Sequence, residues 1–339
     1  MKALIVGAGA IGGCLGGWLS QVHETVWLYD LPAVASRLRE QGLWLYKEHG
    51  EADKERVEVR AVDDLKDVPE VDVVFIAVKN YSLAPVAKVV KEQVAGSPVV
   101  VGLQNGVLNQ TILPDLFERV LFGVIEFNAW IDQSGAIGYQ SKGPFVLGGL
   151  DGAAQADATA VADWMGQAVE TIPTDRIRDA ALCKMVINLT NSFTTLVGFK
   201  YREIDDMALF KRVLSNSMCE GVTILKAAGV REFKVSTMPS WTKIWASAKL
   251  PDVLTNGIFQ KSLDKMVLSS MAQDILQRKT GQSEVDSLLG HFVRLADEYH
   301  VAAPYNRAVY RLCQREFAKP DFVPMTEAEV FAAVQQQPA

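Results

Sequence analysis

Residues 2–12 read Lys-Ala-Leu-Ile-Val-Gly-Ala-Gly-Ala-Ile-Gly, a short apolar run that ends on Gly7 and gives way to glycines at 9 and 12. An unbroken apolar run of this length suits a strand buried on both faces of a parallel sheet. The hexapeptide Gly7-Ala8-Gly9-Ala10-Ile11-Gly12 then has the spacing of a turn built to take a pyrophosphate. The first glycine allows the turn, the second lets a phosphate approach bare backbone, and the third lets helix and strand pack closely. The free N–H groups at the start of the following helix, with its dipole, favour an anion. These six residues are expected to bind a dinucleotide. Small residues continue to Leu19, and Gly13, Gly16 and Gly17 are expected to bring the helix close to the sheet.

Working outward, residues 25–29 (TVWLY) make a second strand that closes on Asp30, 18 positions after Gly12. A carboxylate there accepts hydrogen bonds from the ribose hydroxyls of NAD and repels a 2′-phosphate, although a solvated turn residue is the plainer alternative. Strand-like segments recur at 71–78, 98–103 and 119–125 with helical stretches between them, which predicts parallel βαβ units. Residues 47–56 read as a hairpin or loop, and 135–149 as an antiparallel hairpin turning near Lys142-Gly143. Beyond about residue 175 helical patterns take over, at 176–197, 206–229, 262–279, 283–299 and 304–317. Ser283 and Asp286 approximate a capping box for the fourth of these. The stretch 231–256, with Met238-Pro239, Trp241, Trp245 and Leu250-Pro251, reads as an insertion packed over the helices. Its tryptophans suit either a subunit contact or a core. The expected organisation is an α/β domain over 1–174, an all-α domain over 175–325 and a partly mobile tail over 326–339.

Composition narrows the function. The 339 residues are 49% hydrophobic and 22% charged, ample for two conventional cores. No apolar run approaches the roughly 18–20 residues that span a bilayer, so no membrane partner is expected. A net charge of −6 argues against nucleic acid, whose phosphates need clustered Lys and Arg. Cys14, Cys183, Cys219 and Cys313 are far apart, and only four histidines are present, so no metal is expected and a reducing compartment fits. With glycines where a secretory signal would carry an apolar core, a cytoplasmic protein is expected.

Three further segments carry polar groups of interest. Val78-Lys79-Asn80 and Gln104-Asn105-Gly106 follow predicted strands, at the carboxyl edge where open α/β sheets bind ligands. Lys79 and Asn105 there could meet a nicotinamide ribose or a substrate, or Asn105-Gly106 could be only a tight turn. Lys184, Asn188 and Ser192 lie at i, i+4 and i+8 on one face of a mostly apolar helix. That face meets either a substrate or solvent.

The segments GAGAIG, VKNY, LQNG, KMVIN, SSMAQD and SEVD, in this order, resemble the ketopantoate reductase (2-dehydropantoate 2-reductase) family from residue 1 to about 317. The resemblance implies a Rossmann domain followed by a helical domain like that of 6-phosphogluconate dehydrogenase. It implies NAD(P)H-dependent reduction of 2-dehydropantoate to (R)-pantoate, a step toward pantothenate and coenzyme A. Lys184 would be the catalytic acid, and Glu284 the carboxylate that holds the substrate hydroxyl. Ser270 would contact the substrate carboxylate, Asn105 and Asn188 would position substrate and lysine, and Lys79 would serve the cofactor. Ser192 stands where the family has a second asparagine on the lysine helix. The Ser270–Glu284 spacing is two residues longer than the family pattern, and Tyr139-Gln140-Ser141-Lys142 replaces a His-containing turn. These departures keep a related 2-oxo or 2-hydroxy acid open as substrate; a non-catalytic nicotinamide-nucleotide sensor is the alternative of another class. The family's usual preference is NADPH, met by an Arg just past the second strand. Here Asp30 is followed by Leu31, so NADH is expected over NADPH, with Arg37 and Arg39 the nearest cations. The partner expected is a small 2-oxo acid, and a homodimer is compatible with the sequence.

Overall fold

The computed structural model describes all residues except 133–134, 235–238, 265, 267, 278, 280–282 and 338–339. Met238 of the Met238-Pro239 pair, and positions 265, 267 and 278 of the helix expected over 262–279, lie outside the described residues. The chain forms two compact units, Met1–Arg178 and Asp179–Ala339, against an expected division at 174.

The first unit begins β1 (Ala3–Val6), α1 (Ala10–Ser20), β2 (Val26–Tyr29), α2 (Pro32–Gln41), β3 (Leu43–Lys47), β4 (Glu55–Val57) and β5 (Arg60–Val62). It continues through β6 (Val73–Ile76), α3 (Asn80–Gln93), β7 (Val99–Gly102), α4 (Asn109–Ile112) and β8 (Val120–Ile125). Then come β9 (Ala129–Ile131), β10 (Ile137–Tyr139), β11 (Phe145–Gly148), α5 (Gln155–Gly166) and β12 (Thr171–Pro173). Eight strands make the main sheet in the order β12-β11-β8-β7-β6-β1-β2-β5, parallel except where β11 runs against β8. A smaller sheet, β4-β3-β10-β9, covers the far side of α1.

The glycines of α1 divide between these sheets. A Cβ on Gly16 would press on Leu28 of the main sheet at 2.9 Å, and one on Gly17 would press on Leu43 and Leu45 of the small sheet at 2.8 Å. A helix clamped between two sheets leaves no room on either face, which explains the run of small residues.

The hairpin expected over 135–149 is not formed. The real hairpin joins β9 to β10, where Asp132 accepts from the Gly135 and Ala136 N–H groups and Gly135 takes φ +82°. Lys142-Gly143 is instead where the chain leaves the small sheet, and β11 pairs with β8 in the main one. The hairpin expected at 47–56 is present as β3–β4.

The second unit is helical: α6 (Ile177–Leu196, which starts at the division), α7 (Met207–Ala227), α8 (Trp241–Lys249), α9 (Asp252–Asp264), α10 (Ser270–Ala272), α11 (Leu289–Glu298), α12 (Pro304–Glu316) and α13 (Glu327–Gln335). From Ala180 onward α6 is mostly buried, its polar residues included. The insertion over 231–256 breaks into α8 and α9 at Pro251. Buried Lys211 of α7 ties α9 down, donating to Asp252 Oδ1 at 2.6 Å, Thr255 Oγ1 at 2.6 Å and Asn256 Oδ1 at 2.7 Å. Trp241 is buried while Trp245 is exposed.

Three expectations fail here, two of them for tertiary reasons. The helix expected over 262–279 is broken, leaving α10 and a π-type turn at Gln273–Gln277. The helix expected from 283 starts at Leu289, because the Asp286 carboxylate accepts from Tyr310 Oη at 2.7 Å and Gln314 Nε2 at 3.2 Å of α12 instead of capping its own chain. Residues 326–337 are no loose tail. Thr326 and Glu329 form a capping box, and fully buried Glu327 accepts from Arg202 Nη2 at 2.7 Å and from the Asp205 and Asp206 N–H groups at the head of α7. Among the described residues no helix is long and apolar enough to cross a membrane.

Candidate active site

In the first unit the glycine turn is held by the chain's own sterics at two of its three glycines. Gly7 takes φ +96° while its N–H donates to Tyr29 O at 2.9 Å. A Cβ on Gly12 would collide with the Gly7 carbonyl oxygen. Gly9 differs: a Cβ there would meet no protein atom within 4 Å, so packing does not demand a glycine. An open flank at the second glycine fits a pyrophosphate approaching the backbone. Gly9 also caps α1 without a side-chain bond, and the first turn through Ala10 and Ile11 carries no acid, so its N–H groups and dipole can meet an anion.

Asp30 is joined to this turn. Its Oδ2 accepts from the Ala8 N–H at 2.6 Å and its Oδ1 from the Leu31 N–H at 2.7 Å. Each oxygen keeps a second acceptor site, enough for a ribose hydroxyl. Leu31 is strongly exposed. Of the two nearest cations, Arg37 reaches Gly135 O at 3.4 Å and Arg39 pairs with Asp63 at 3.0 Å.

Farther along the carboxyl edge, Lys79 stands at the N-cap of α3 and Asn80 opens the helix. Asn80 Nδ2 donates to Asn105 O at 2.9 Å, joining the segments after β6 and β7. Buried Gln104 reinforces the joint through Nε2 to Ile76 O at 2.7 Å and Val78 O at 3.1 Å. Gly106, at φ +89°, makes the tight turn that the sequence allowed. Sequence reasoning missed Glu126, a carboxylate buried immediately after β8. The available signal was a lone acid inside the apolar run Phe122–Phe127 at the end of a strand.

The second unit brings Lys184, Asn188 and Ser192 onto one face of α6. Lys184 is half-buried; Asn188 and Ser192 are 8% and 0% exposed, which removes the solvent alternative for both. Asn188 Oδ1 accepts from Asn191 Nδ2 at 3.4 Å, but Asn188 Nδ2 and Ser192 Oγ are buried with no hydrogen-bond partner among the described residues. Orphaned buried donors are rare enough in folded proteins to need a reason. The two serines of Ser269-Ser270 divide their work. Ser269 caps α10 by accepting from the Ala272 N–H at 3.1 Å and bonds Thr195 of α6 at 3.3 Å, leaving half-buried Ser270 as the first helical residue. Glu284 lies in the turn ahead of α11, and it is buried, so it is not a solvated first-turn glutamate.

The four cysteines are buried thiols, and burial drives those of Cys14 and Cys313 well above their ordinary range, away from nucleophilic chemistry. Among the described residues no cluster of His, Cys, Asp and Glu could hold a metal.

Comparison with known proteins bears on the whole chain. Residues 3–152 match the family model described as ketopantoate reductase PanE/ApbA, and 176–316 match its C-terminal counterpart. The 2-dehydropantoate 2-reductase of Pyrococcus abyssi is 27% identical over 318 residues, 92% of this chain and 96% of that protein. The crystal structure of a PanE/ApbA family ketopantoate reductase from Ralstonia eutropha superposes with a TM-score of 0.76 at 26% identity, covering 94% of this chain and 99% of the other. A D-mandelate dehydrogenase with NADH and anilino(oxo)acetate shares the fold, with a TM-score of 0.76 at 19% identity over 95% and 100% of the two chains. The chain belongs to the ketopantoate reductase family, whose Rossmann-like and helical parts correspond to its two units.

Proposed function

We propose that the protein is an NADH-dependent reductase that converts 2-dehydropantoate to (R)-pantoate. Membership of the family already makes it a nicotinamide-dependent oxidoreductase acting on a small molecule; the particular 2-oxo acid, the choice of NADH and the residue roles belong to this proposal. When bound, the reduced nicotinamide supplies the hydride. Gly7 through Gly12 hold the pyrophosphate on backbone N–H groups, Asp30 takes the adenosine ribose hydroxyls, and Lys79 and Asn105 serve the nicotinamide end. The Lys184 ammonium donates a hydrogen bond to the substrate's 2-oxo oxygen and passes a proton to that oxygen as it becomes an alkoxide. Charge met only in the transition state gives the largest rate gain. Asn188 and Ser192 orient lysine and substrate, Ser270 receives the substrate carboxylate, and Glu284 accepts from its hydroxyl group.

The observation that carries this reading is the polar face of α6. Two buried groups beside Lys184, Asn188 Nδ2 and Ser192 Oγ, lack partners among the described residues, and a polar substrate is what such groups would meet. A related 2-oxo acid is the second reading, favoured by Ser192: its short side chain, where the family carries an asparagine, suits a substrate of different shape. The test is turnover by purified protein of a panel of 2-oxo acids with NADH and with NADPH. Selective turnover of 2-dehydropantoate with NADH is expected. Selectivity for another acid would establish the second reading, and cofactor binding with no turnover of any acid would favour a nucleotide sensor. A wild type favouring NADPH at least tenfold, about 1.4 kcal/mol, would sink the cofactor assignment.

A homodimer in the cytoplasm completes the proposal. It is supported by the exposed Trp245, Leu250, Val253, Leu254 and Ile258 of the α8–α9 region and by the burial of all four cysteine thiols. Light scattering should give twice the chain mass of 37.2 kDa.

A further inference from the structure

The edge of the main sheet beside Asp30 carries a second acid. β5 lies parallel to β2, with Tyr29 paired to Val62, and the Asp30 N–H donates to Val62 O at 3.3 Å. Asp63 therefore follows directly across from Asp30, about one strand spacing of 4.8 Å away. α2 packs over β5, which brings Arg39 of its last turn to Asp63: Nη1 to Oδ1 at 3.0 Å and Nη2 to Oδ2 at 3.5 Å, a two-pronged contact. Arg39 Nη1 also lies 3.4 Å from Ala61 O. The other cations of this edge are engaged too. Arg37 reaches Gly135 O, and Arg60 covers the Trp27 ring at 5.6 Å. The hydrogen bond from Arg39 draws the Asp63 carboxyl below its ordinary value.

We infer that Asp63 is a cofactor-specificity residue, one that holds Arg39 in an ion pair and so denies an NADPH 2′-phosphate the cation it needs. This rests on the reading that the first unit takes a nicotinamide dinucleotide with its adenosine ribose at Asp30. A 2′-phosphate at that ribose meets Asp30 and Asp63 as like charges, and recruiting Arg39 requires breaking its two-pronged contact with a carboxylate. NADH meets neither obstacle.

The experiment measures Kd for NADH and NADPH by nicotinamide fluorescence on wild type, Asp63→Asn, Arg39→Ala, the double variant and Asp64→Asn. Asp64→Asn removes one charge next door without releasing a cation. Asp63→Asn is expected to shift the affinity ratio toward NADPH about tenfold or more, and the double variant to lose most of that gain. Asp64→Asn should shift the ratio less than about threefold, and Arg39→Ala alone should leave NADPH affinity where it was. If wild type prefers NADH and Asp63→Asn leaves the ratio unmoved, or weakens both cofactors equally, the inference is overturned while the parent reading stands. If the double variant keeps the whole gain, Arg39 is not the released cation and the inference fails. If Arg39→Ala weakens NADPH tenfold, Arg39 is not withheld and the inference falls while the ribose placement stands; if wild type binds neither cofactor, both fall.

Discussion

In the glycine turn, the Gly7 N–H meets Tyr29 and the Ala8 N–H meets Asp30, and collisions within the chain itself require Gly7 and Gly12. On the Lys184 face of α6 the situation is reversed: Asn188 Nδ2 and Ser192 Oγ are buried and unsatisfied among the described residues. Leaving a buried donor unpaired costs about 1–3 kcal/mol, so that face is less stable than an apolar one would be. The difference separates two ways of building a site. A binding turn made of backbone is rigid before its ligand arrives and is fixed by local sterics. If the α6 face is the reactive one, as proposed, it keeps polar groups in reserve at the expense of folding stability.

The contrast is broken most severely at the glycines. Gly12→Ala drives a methyl into the Gly7 carbonyl, and we expect dinucleotide binding to be lost, with overpacking of about 1–3 kcal/mol lowering Tm by several degrees. Gly9→Ala meets no protein atom, so Tm should hold within about a degree while NADH affinity falls tenfold, about 1.4 kcal/mol. Thermal melts with fluorescence titrations check both. Normal NADH binding by Gly9→Ala would mean that no phosphate approaches that flank.

Next in size is Glu284→Gln. If buried Glu284 accepts a substrate hydroxyl, kcat/KM should fall about tenfold more for 2-dehydropantoate than for a 2-oxo acid lacking that group. Equal losses on both substrates would make Glu284 structural.

A smaller effect concerns α7 and α12, where the Glu220 carboxylate accepts from the Tyr305 and Asn306 N–H groups at 3.0 and 2.9 Å. Burial pushes its carboxyl up to about 7 from 4.5, even against these hydrogen bonds. With the native pKa above the unfolded one, the folded protein binds more protons between these values. The stability this contributes is whole below about pH 4.5 and is lost as pH rises through about 7. Chemical unfolding across that window should show Glu220→Gln losing a slope of at most about 1.4 kcal/mol per pH unit. An unchanged slope would show that the carboxyl titrates normally.

The smallest effect, and the most diagnostic of reserve, is Ser192→Ala. Removing an unsatisfied buried hydroxyl should leave stability unchanged or raise it by up to about 1 kcal/mol, while kcat/KM falls several-fold. Lower stability with full activity would reverse the reading of α6.

The parts of the molecule legible in the sequence are those fixed by neighbours along the chain. The strand into Gly7, the glycine spacing and the alternation of strands and helices each follow from local sterics and periodicity, and β1, α1, β2, β6, β7 and β8 stand where those signals put them. The parts that were not legible depend on distant partners. Asp286 was drawn to Tyr310 and Gln314, so its capping box never formed. Glu327 found Arg202, 125 residues away, and turned an expected tail into a packed helix. Spacing put Lys184, Asn188 and Ser192 on one face, yet only the packing around α6 revealed that Asn188 and Ser192 are buried and in want of partners. Burial of Glu126 likewise depends on how β11 folds back along β8.

The division of labour between turn and helix meets its most direct test in Lys184→Ala, assayed for NADH Kd by fluorescence and for kcat on 2-dehydropantoate. That division predicts an NADH Kd within about twofold of wild type and kcat and kcat/KM down together by about 10²–10⁴, the usual contribution of a positioned proton donor. Near-normal turnover, or a loss confined to cofactor affinity, would contradict it.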